Sequence, residues 1–266
     1  MRLSFEKFVL HVLGFFLAAF LVFPLLALFT ASAPQEVLSG LGHPLVWPAL
    51  RLSIFTTTAT LIVVVVLGTP LAWSLAQSNR KSVRTLETLL QLPIVIPPSV
   101  AGIAMLLAFG SPGLLSSLLH GSWVFTSTTT AVIIAQVFVS APLFVQSASS
   151  AFRRIDSKLI VVAQTFGASP FRIFLRLALP MAFPGIAAGA AISWARALGE
   201  FGATLMFAGN MEGKTQTLPL AIYTVNASDT HAAQALSILL VLVAFSLLLL
   251  MKVLMNQAER KFHGMP

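Results

Sequence analysis

Two hundred and sixty-six residues, 57% of them apolar and only 9% charged, do not describe a water-soluble domain, in which about 25% of residues carry charge. The mean hydropathy of +0.92 and 21 phenylalanines point to a bilayer as solvent and exclude disorder and collagen. Cysteine is absent, which removes disulfide scaffolds, thiolate metal sites and cysteine nucleophiles.

A hydrocarbon core of about 30 Å takes roughly 20 apolar residues in a helix. Runs of that kind predict spans over residues 9–31, 52–76, 92–109, 129–149, 181–208 and 233–254. The first is too long for a signal-peptide core and is read as retained. Pro93, Pro97 and Pro98 interrupt the third. Prolines remove backbone donors and kink a helix, which a membrane protein tolerates where the freed carbonyls face protein or a water-filled cavity. Residues 1–266 are thus read as one all-α integral membrane domain of six helices.

Charge sets the orientation. Arg2 and Lys7 precede the first span; Arg80, Lys81 and Arg84 separate the second from the third. Arg153, Arg154, Lys158, Arg172 and Arg176 separate the fourth from the fifth, and Lys252, Arg260 and Lys261 end the chain. Thirteen of the 16 basic residues therefore fall on one side, with Arg51 and Lys214 opposite and Arg196 inside a span. By the positive-inside rule both termini are expected in the cytoplasm. The formal charge of +8 reads as topology, not as nucleic-acid binding.

Residues 153–176 form the longest expected cytoplasmic stretch. Asp156 or Ser157 is placed to cap a short helix with Leu159, Ile160, Val162, Ala163 and Phe166 as an apolar stripe. Gly167 ends that helix in a left-handed or closely packed position, and Ser169 and Pro170 start another. Two readings stay open for this helix–glycine–helix knob: an amphipathic connector on the membrane surface, or a docking element for a soluble partner.

The fifth span carries the chemistry. Arg196 and Glu200 are four apart and share a helix face. Ionisable residues inside a span mark a pathway, a gate or a buried inter-helix pair. A guanidinium suits an oxyanion, but one neutralised by Glu200 is a weak anion trap, so a gate or a structural pair is favoured. Thr204 continues the polar stripe one turn on. Gly185, Gly189, Gly199 and Gly202, with Ala187, Ala188, Ala190 and Ala191, allow close helix approach or a pore- or dimer-facing surface. Thr56, Thr57, Thr58 and Thr60 face a vestibule or, as favoured, satisfy themselves on their own helix carbonyls. His11, His43, His120, His231 and His263 show no metal-ligand spacing. No phosphate-binding Gly-rich loop ending in Lys-Ser/Thr occurs, so no cofactor is expected on this chain.

Val161 to Ser169, followed by Phe171, Phe174 and Leu179-Pro180, resembles the coupling loop of bacterial importer permeases of the ATP-binding-cassette class. Ala163, Gly167, Ala168 and Leu179-Pro180 fit that family's pattern, while Val161 stands where Glu is usual and Val162 where Ala is usual. Ala195 to Asn210, Gly213 to Tyr223 and Leu92 to Gly102 resemble the matching segments of molybdate permeases, and the likeness covers roughly residues 50–250. The resemblance implies a type I importer permease in a bacterial or archaeal inner membrane. It implies import of molybdate or tungstate, with sulfate or thiosulfate as the rival cargo. It further implies a homodimer with two separate ATPase subunits, which hold ATP and Mg, and an external oxyanion-binding protein. Coupling residues would be Ala163, Gln164, Phe166, Gly167, Ala168, Ser169, Pro170 and Phe171. The pathway or gate would use Arg196, Glu200, Thr204, Asn210, Pro97 and Pro98. An ion-gradient-driven transporter or channel is the alternative class; its marks, inverted repeats or several intramembrane acids, are not seen.

Overall fold

The computed structural model describes the backbone of residues 2–78, 80–118 and 125–263, and side chains only between residues 7 and 253. The described residues are helical, with no strand among them. In chain order the helices are α1 (Arg2–Thr30), α2 (Pro34–Gly40), α3 (Val46–Ala76), α4 (Lys81–Leu90), α5 (Leu92–Val95), α6 (Pro98–Phe109) and α7 (Leu114–Leu118). They continue as α8 (Thr129–Arg153), α9 (Ser157–Thr165), α10 (Pro170–Ile173), α11 (Leu179–Leu198), α12 (Gly202–Ala208), α13 (Leu218–Val225) and α14 (Thr230–His263). Among the described residues six stretches are long and apolar enough to cross a membrane: Lys7–Thr30, Val46–Ala76, Pro98–Leu118, Thr129–Arg153, Pro170–Leu198 and Thr230–Val253.

Two spans differ from the sequence expectation. The third begins at Pro98, not at residue 92, because Ile96 and Pro97 are extended and the chain restarts with Pro98 in the first helical position. It reaches Leu118 through α7. The fifth begins at Pro170, eleven residues before the expected start, and stops at Leu198 rather than running to 208. A wide π turn, Phe174–Ala178, joins α10 to α11. It lies just before Pro180, which has no N–H to continue the ordinary ladder.

The bundle is built on α8, against which α3 and α11 pack along their lengths. Small residues make this possible. A Cβ at Gly185 would come within 2.4 Å of Ala151 Cβ, and one at Gly189 within 2.9 Å of Ser147 Cβ. The expected small-residue face of the fifth span is thus turned toward the fourth, where backbones can approach closely. Hydroxyls bridge the same seam: Ser147 Oγ donates to Gly185 O (2.9 Å) and Ser193 Oγ to Ser140 O (3.1 Å). By contrast, α1 leaves its apolar side chains exposed and, among the described residues, packs chiefly against α14. An all-round apolar helix of this kind is stable only in lipid or against another protein surface.

The two ends of the bundle separate by charge. Arg153 at the end of α8 binds Glu87 of α4, so the basic segments after the second and fourth spans share one end. At the other end Thr129 Oγ1 donates to Lys214 O, and Leu218 N donates to Ser53 Oγ, which brings the Arg51 and Lys214 regions together. The side chains of Arg2, Arg260 and Lys261 lie outside the described residues.

Candidate translocation and coupling sites

The fifth span ends where its sequence places two charges. α11 stops at Leu198, and Gly199 to Phe201 leave the helical path before α12 begins at Gly202. Arg196 Nη1 donates to Glu200 Oε2 at 2.7 Å, while the other carboxylate oxygen, Oε1, accepts the N–H of Ala203 at 2.7 Å. Glu200 is 1% exposed and the Arg196 side chain 34%. The pair therefore bridges a helix break. The cation sits in the last turn of one helix and the anion two residues before the next begins, each beside the helix end of opposite partial charge. The carboxylate also satisfies an N–H that the start of α12 would otherwise leave unpaired.

α12 leans on α6. A Cβ at Gly202 would meet Pro98 Cβ at 2.6 Å, and one at Gly102 would meet Met206 Cβ at 2.5 Å and Ala203 O at 3.1 Å. Of the expected gate residues, Arg196, Glu200 and Pro98 thus converge on one junction, with Pro97 as the extended residue preceding α6. Thr204 is fully buried and its hydroxyl finds no protein partner. Asn210 belongs elsewhere: past the left-handed Gly209 (φ 78°), it donates to Thr224 Oγ1 of α13 at 2.8 Å.

Sequence reasoning missed a second polar element. Gln136 in the middle of α8 is buried and its Oε1 accepts from Thr60 Oγ1 at 3.0 Å. Thr57 does bond its own helix, at Ser53 O (2.7 Å), but Thr60 does not. The signal was present in Gln136, which sits within the apolar run of residues 131–139. His120 lies outside the described residues, as does the side chain of His263.

At the basic end Asp156 caps α9 by accepting the N–H of Lys158 (2.9 Å). Gly167 has φ +75° with no atom near its would-be Cβ, which selects the left-handed alternative over close packing. Ala168 N donates to Ala163 O and Gly167 N to Gln164 O, the paired bonds of a Schellman ending. Ser169 caps α10 through Arg172 N, with Pro170 first in the helix. Phe166 (87%) and Phe171 (70%) stand in the open, and Gln164 is exposed beside them. The knob is rooted firmly. Trp73 of α3, Phe152 of α8 and Phe174 pack ring to ring, with centroids 5.2–6.2 Å apart. Since α10 and its π turn continue into α11, this exposed knob and the Arg196–Glu200 break lie on one rod.

Residues 66–264 match the family described as the binding-protein-dependent transport system inner membrane component. The chain belongs to that family. It is 47% identical over 171 residues to the molybdenum transport system permease protein ModB of Mycobacterium tuberculosis, a match taking in 64% of this chain and 65% of that relative. It is 34% identical over 210 residues to the molybdate/tungstate transport system permease protein WtpB of Thermococcus kodakarensis, covering 78% of this chain and 80% of that one. Its fold is shared with a chain of a bacterial ABC transporter that imports alginate (TM-score 0.76, 16% identity, 97% and 99% coverage). It is shared also with the MetNI methionine ABC transporter in inward-facing form (TM-score 0.66, 17% identity, 80% and 96% coverage). This inner membrane component thus has the helical architecture of importer permeases.

Proposed function

We propose that this chain is the permease of an ATP-driven oxyanion importer whose cargo is molybdate or tungstate. The observation that carries the reading is the continuous rod from Pro170 to Leu198, with an exposed apolar knob before one end and a charge-braced break at the other. Relatives named for molybdenum and molybdate/tungstate supply the cargo class. A second copy completes the pathway, two ATPase subunits grip the knobs through Phe166 and Phe171, and an external binding protein delivers the anion. Both termini and the knob are cytoplasmic, in keeping with the basic residues at that end.

ATP-driven closure of the ATPases draws the two knobs together. The aromatic cluster of Trp73, Phe152 and Phe174 passes that movement to α3, α8 and α11, and the Arg196–Glu200 junction lets α12 and α6 shift as a unit relative to the rod. Arg196 acts at the junction and not as a tight substrate site, because Glu200 neutralises it. Uptake of labelled molybdate by cells carrying the complete transporter tests the cargo. Unlabelled tungstate should compete fully and sulfate weakly; equal competition by sulfate would overturn the assignment.

A further inference from the structure

At the basic end, α3, α8 and the α4–α5 connector enclose a side-open cavity of about 290 Å³. Its wall is apolar, made chiefly by Leu71, Leu75, Val137, Phe138, Ala141 and Val145. Val137 and Gln146, which bound it along α8, are nine positions apart, roughly 14 Å at 1.5 Å per residue. That is about one leaflet of a ~30 Å hydrocarbon core. A slot of that length at the basic end of the bundle matches the depth of one leaflet.

The rim is basic. Arg153 Nη2 donates to Glu87 Oε2 at 2.8 Å and reaches Leu75 O at 3.5 Å, so this guanidinium stands beside two residues that line the cavity. Arg84 and Glu87 of α4 are three apart and share a face, with Arg80 as the extended N-cap residue and Gln91 as the C-cap. Glu87 and Gln91 line the slot; Arg84 lies one turn before Glu87 on its face, and Arg80 stands at the head of the same helix. Both arginines are exposed, and among the described residues neither has an acidic partner within ion-pair distance. Lys81 and Arg154 are exposed nearby in sequence.

We propose that this slot holds one acyl chain of an anionic phospholipid, with its phosphate against Arg80 and Arg84 and with Arg153 at the entrance. Basic pockets between spans take anionic headgroups, and a guanidinium fits phosphate oxygens with two parallel hydrogen bonds. The apolar wall accepts any acyl chain, so the unpaired arginines supply the preference for net negative charge. The occupant is a bilayer lipid, distinct from the cargo and from the ATPase surface.

Native mass spectrometry of the full chain, purified in mild detergent with the subunits it retains, tests this. The protein is titrated with phosphatidylglycerol and, separately, with phosphatidylcholine of the same acyl chains. One phosphatidylglycerol per chain should be retained, with a preference of about tenfold over phosphatidylcholine. The double change Arg80→Gln with Arg84→Gln should erase that preference, and Ala141→Phe should lower retention of both lipids by filling the slot. Because Arg80 and Arg84 are exposed, their replacement tests the site even where Ala141→Phe fails to fold. Equal retention of the two lipids by the unmodified chain, or a preference that survives the double change, would overturn the proposal. So would disulfide formation between two copies carrying Ala141→Cys, which would show a second copy seated on the slot.

Discussion

Gly202 lies so close to Pro98 that a Cβ on the glycine would come within 2.6 Å of the proline Cβ. Four residues on in both helices, Met206 and Gly102 repeat the relationship at 2.5 Å. The equal offset means that α6 and α12 run side by side in the same direction, each supplying one glycine to a partner side chain on the other. A substitution at either glycine has to push two backbones apart.

Gly202→Val should therefore lower stability by about 1–3 kcal/mol, the usual range for overpacking a close contact. The thermal unfolding midpoint of the purified protein measures it. Gly14, which has no atom within 4 Å of its would-be Cβ, is the control: Gly14→Val should leave the midpoint unchanged. Equal effects at the two positions would show that the α6–α12 contact is not close.

The Arg196–Glu200 brace predicts an asymmetric rescue. Arg196→Ala strips the partner from a buried carboxylate, a loss of up to about 3–5 kcal/mol for a fully buried pair and less here because Arg196 is one-third exposed. Adding Glu200→Gln should restore part of the stability, since the amide oxygen still accepts the Ala203 N–H and no unpaired charge remains. A double mutant no more stable than Arg196→Ala alone would remove the brace. Uptake by the same proteins separates gating from packing: recovery of stability without recovery of transport assigns the pair to the gate.

Much of this arrangement was legible in the residues. The spans followed from apolar runs, and the knob from Asp156, Gly167 and Ser169, because caps and left-handed turns are local chemistry. The break after Leu198 was not legible. Residues 181–208 are mostly apolar, and beside the local bond from Ala203 N–H to Glu200 the interruption rests on a tertiary contact, Pro98 pressing on Gly202. The early start at Pro170 was hidden for a related reason. Arg172 and Arg176 mark the segment as polar, yet the helix continues through them because its other side, Ile173 and Ala178, is buried. Gln136 marked a polar position within its span, but its partner Thr60, 76 residues away in sequence, had no local mark.

Topology has a direct chemical test. Ser82, Ser117 and Ser157 are all exposed. In a chain otherwise without cysteine, Ser82→Cys and Ser157→Cys should react with an impermeant thiol reagent only from the cytoplasmic side, and Ser117→Cys only from the outer side. Labelling of positions 82 and 117 from the same side would contradict a six-span path.

The knob glycine separates docking from mere connection. At φ +75° a β-branched residue carries strain of order 1–2 kcal/mol, and the space around Gly167 is empty, so no span feels the change. Gly167→Val should leave the protein inserted while an ATPase subunit no longer co-purifies or no longer couples hydrolysis to uptake. Phe166→Ser, which removes an 87%-exposed ring, should act in the same direction without altering the turn. Wild-type association and uptake in both variants would reduce the knob to a surface connector.

The central claim is that movement at the knob, powered by ATP on a partner, drives an oxyanion along the path past Arg196 and Glu200. Proteoliposomes containing this chain, its ATPase partner and its binding protein measure it directly, with labelled molybdate on the binding-protein side and ATP on the knob side. The account predicts uptake that requires ATP, is indifferent to an imposed ion gradient and is abolished by Gly167→Val. Molybdate accumulation driven by an ion gradient without ATP would contradict it.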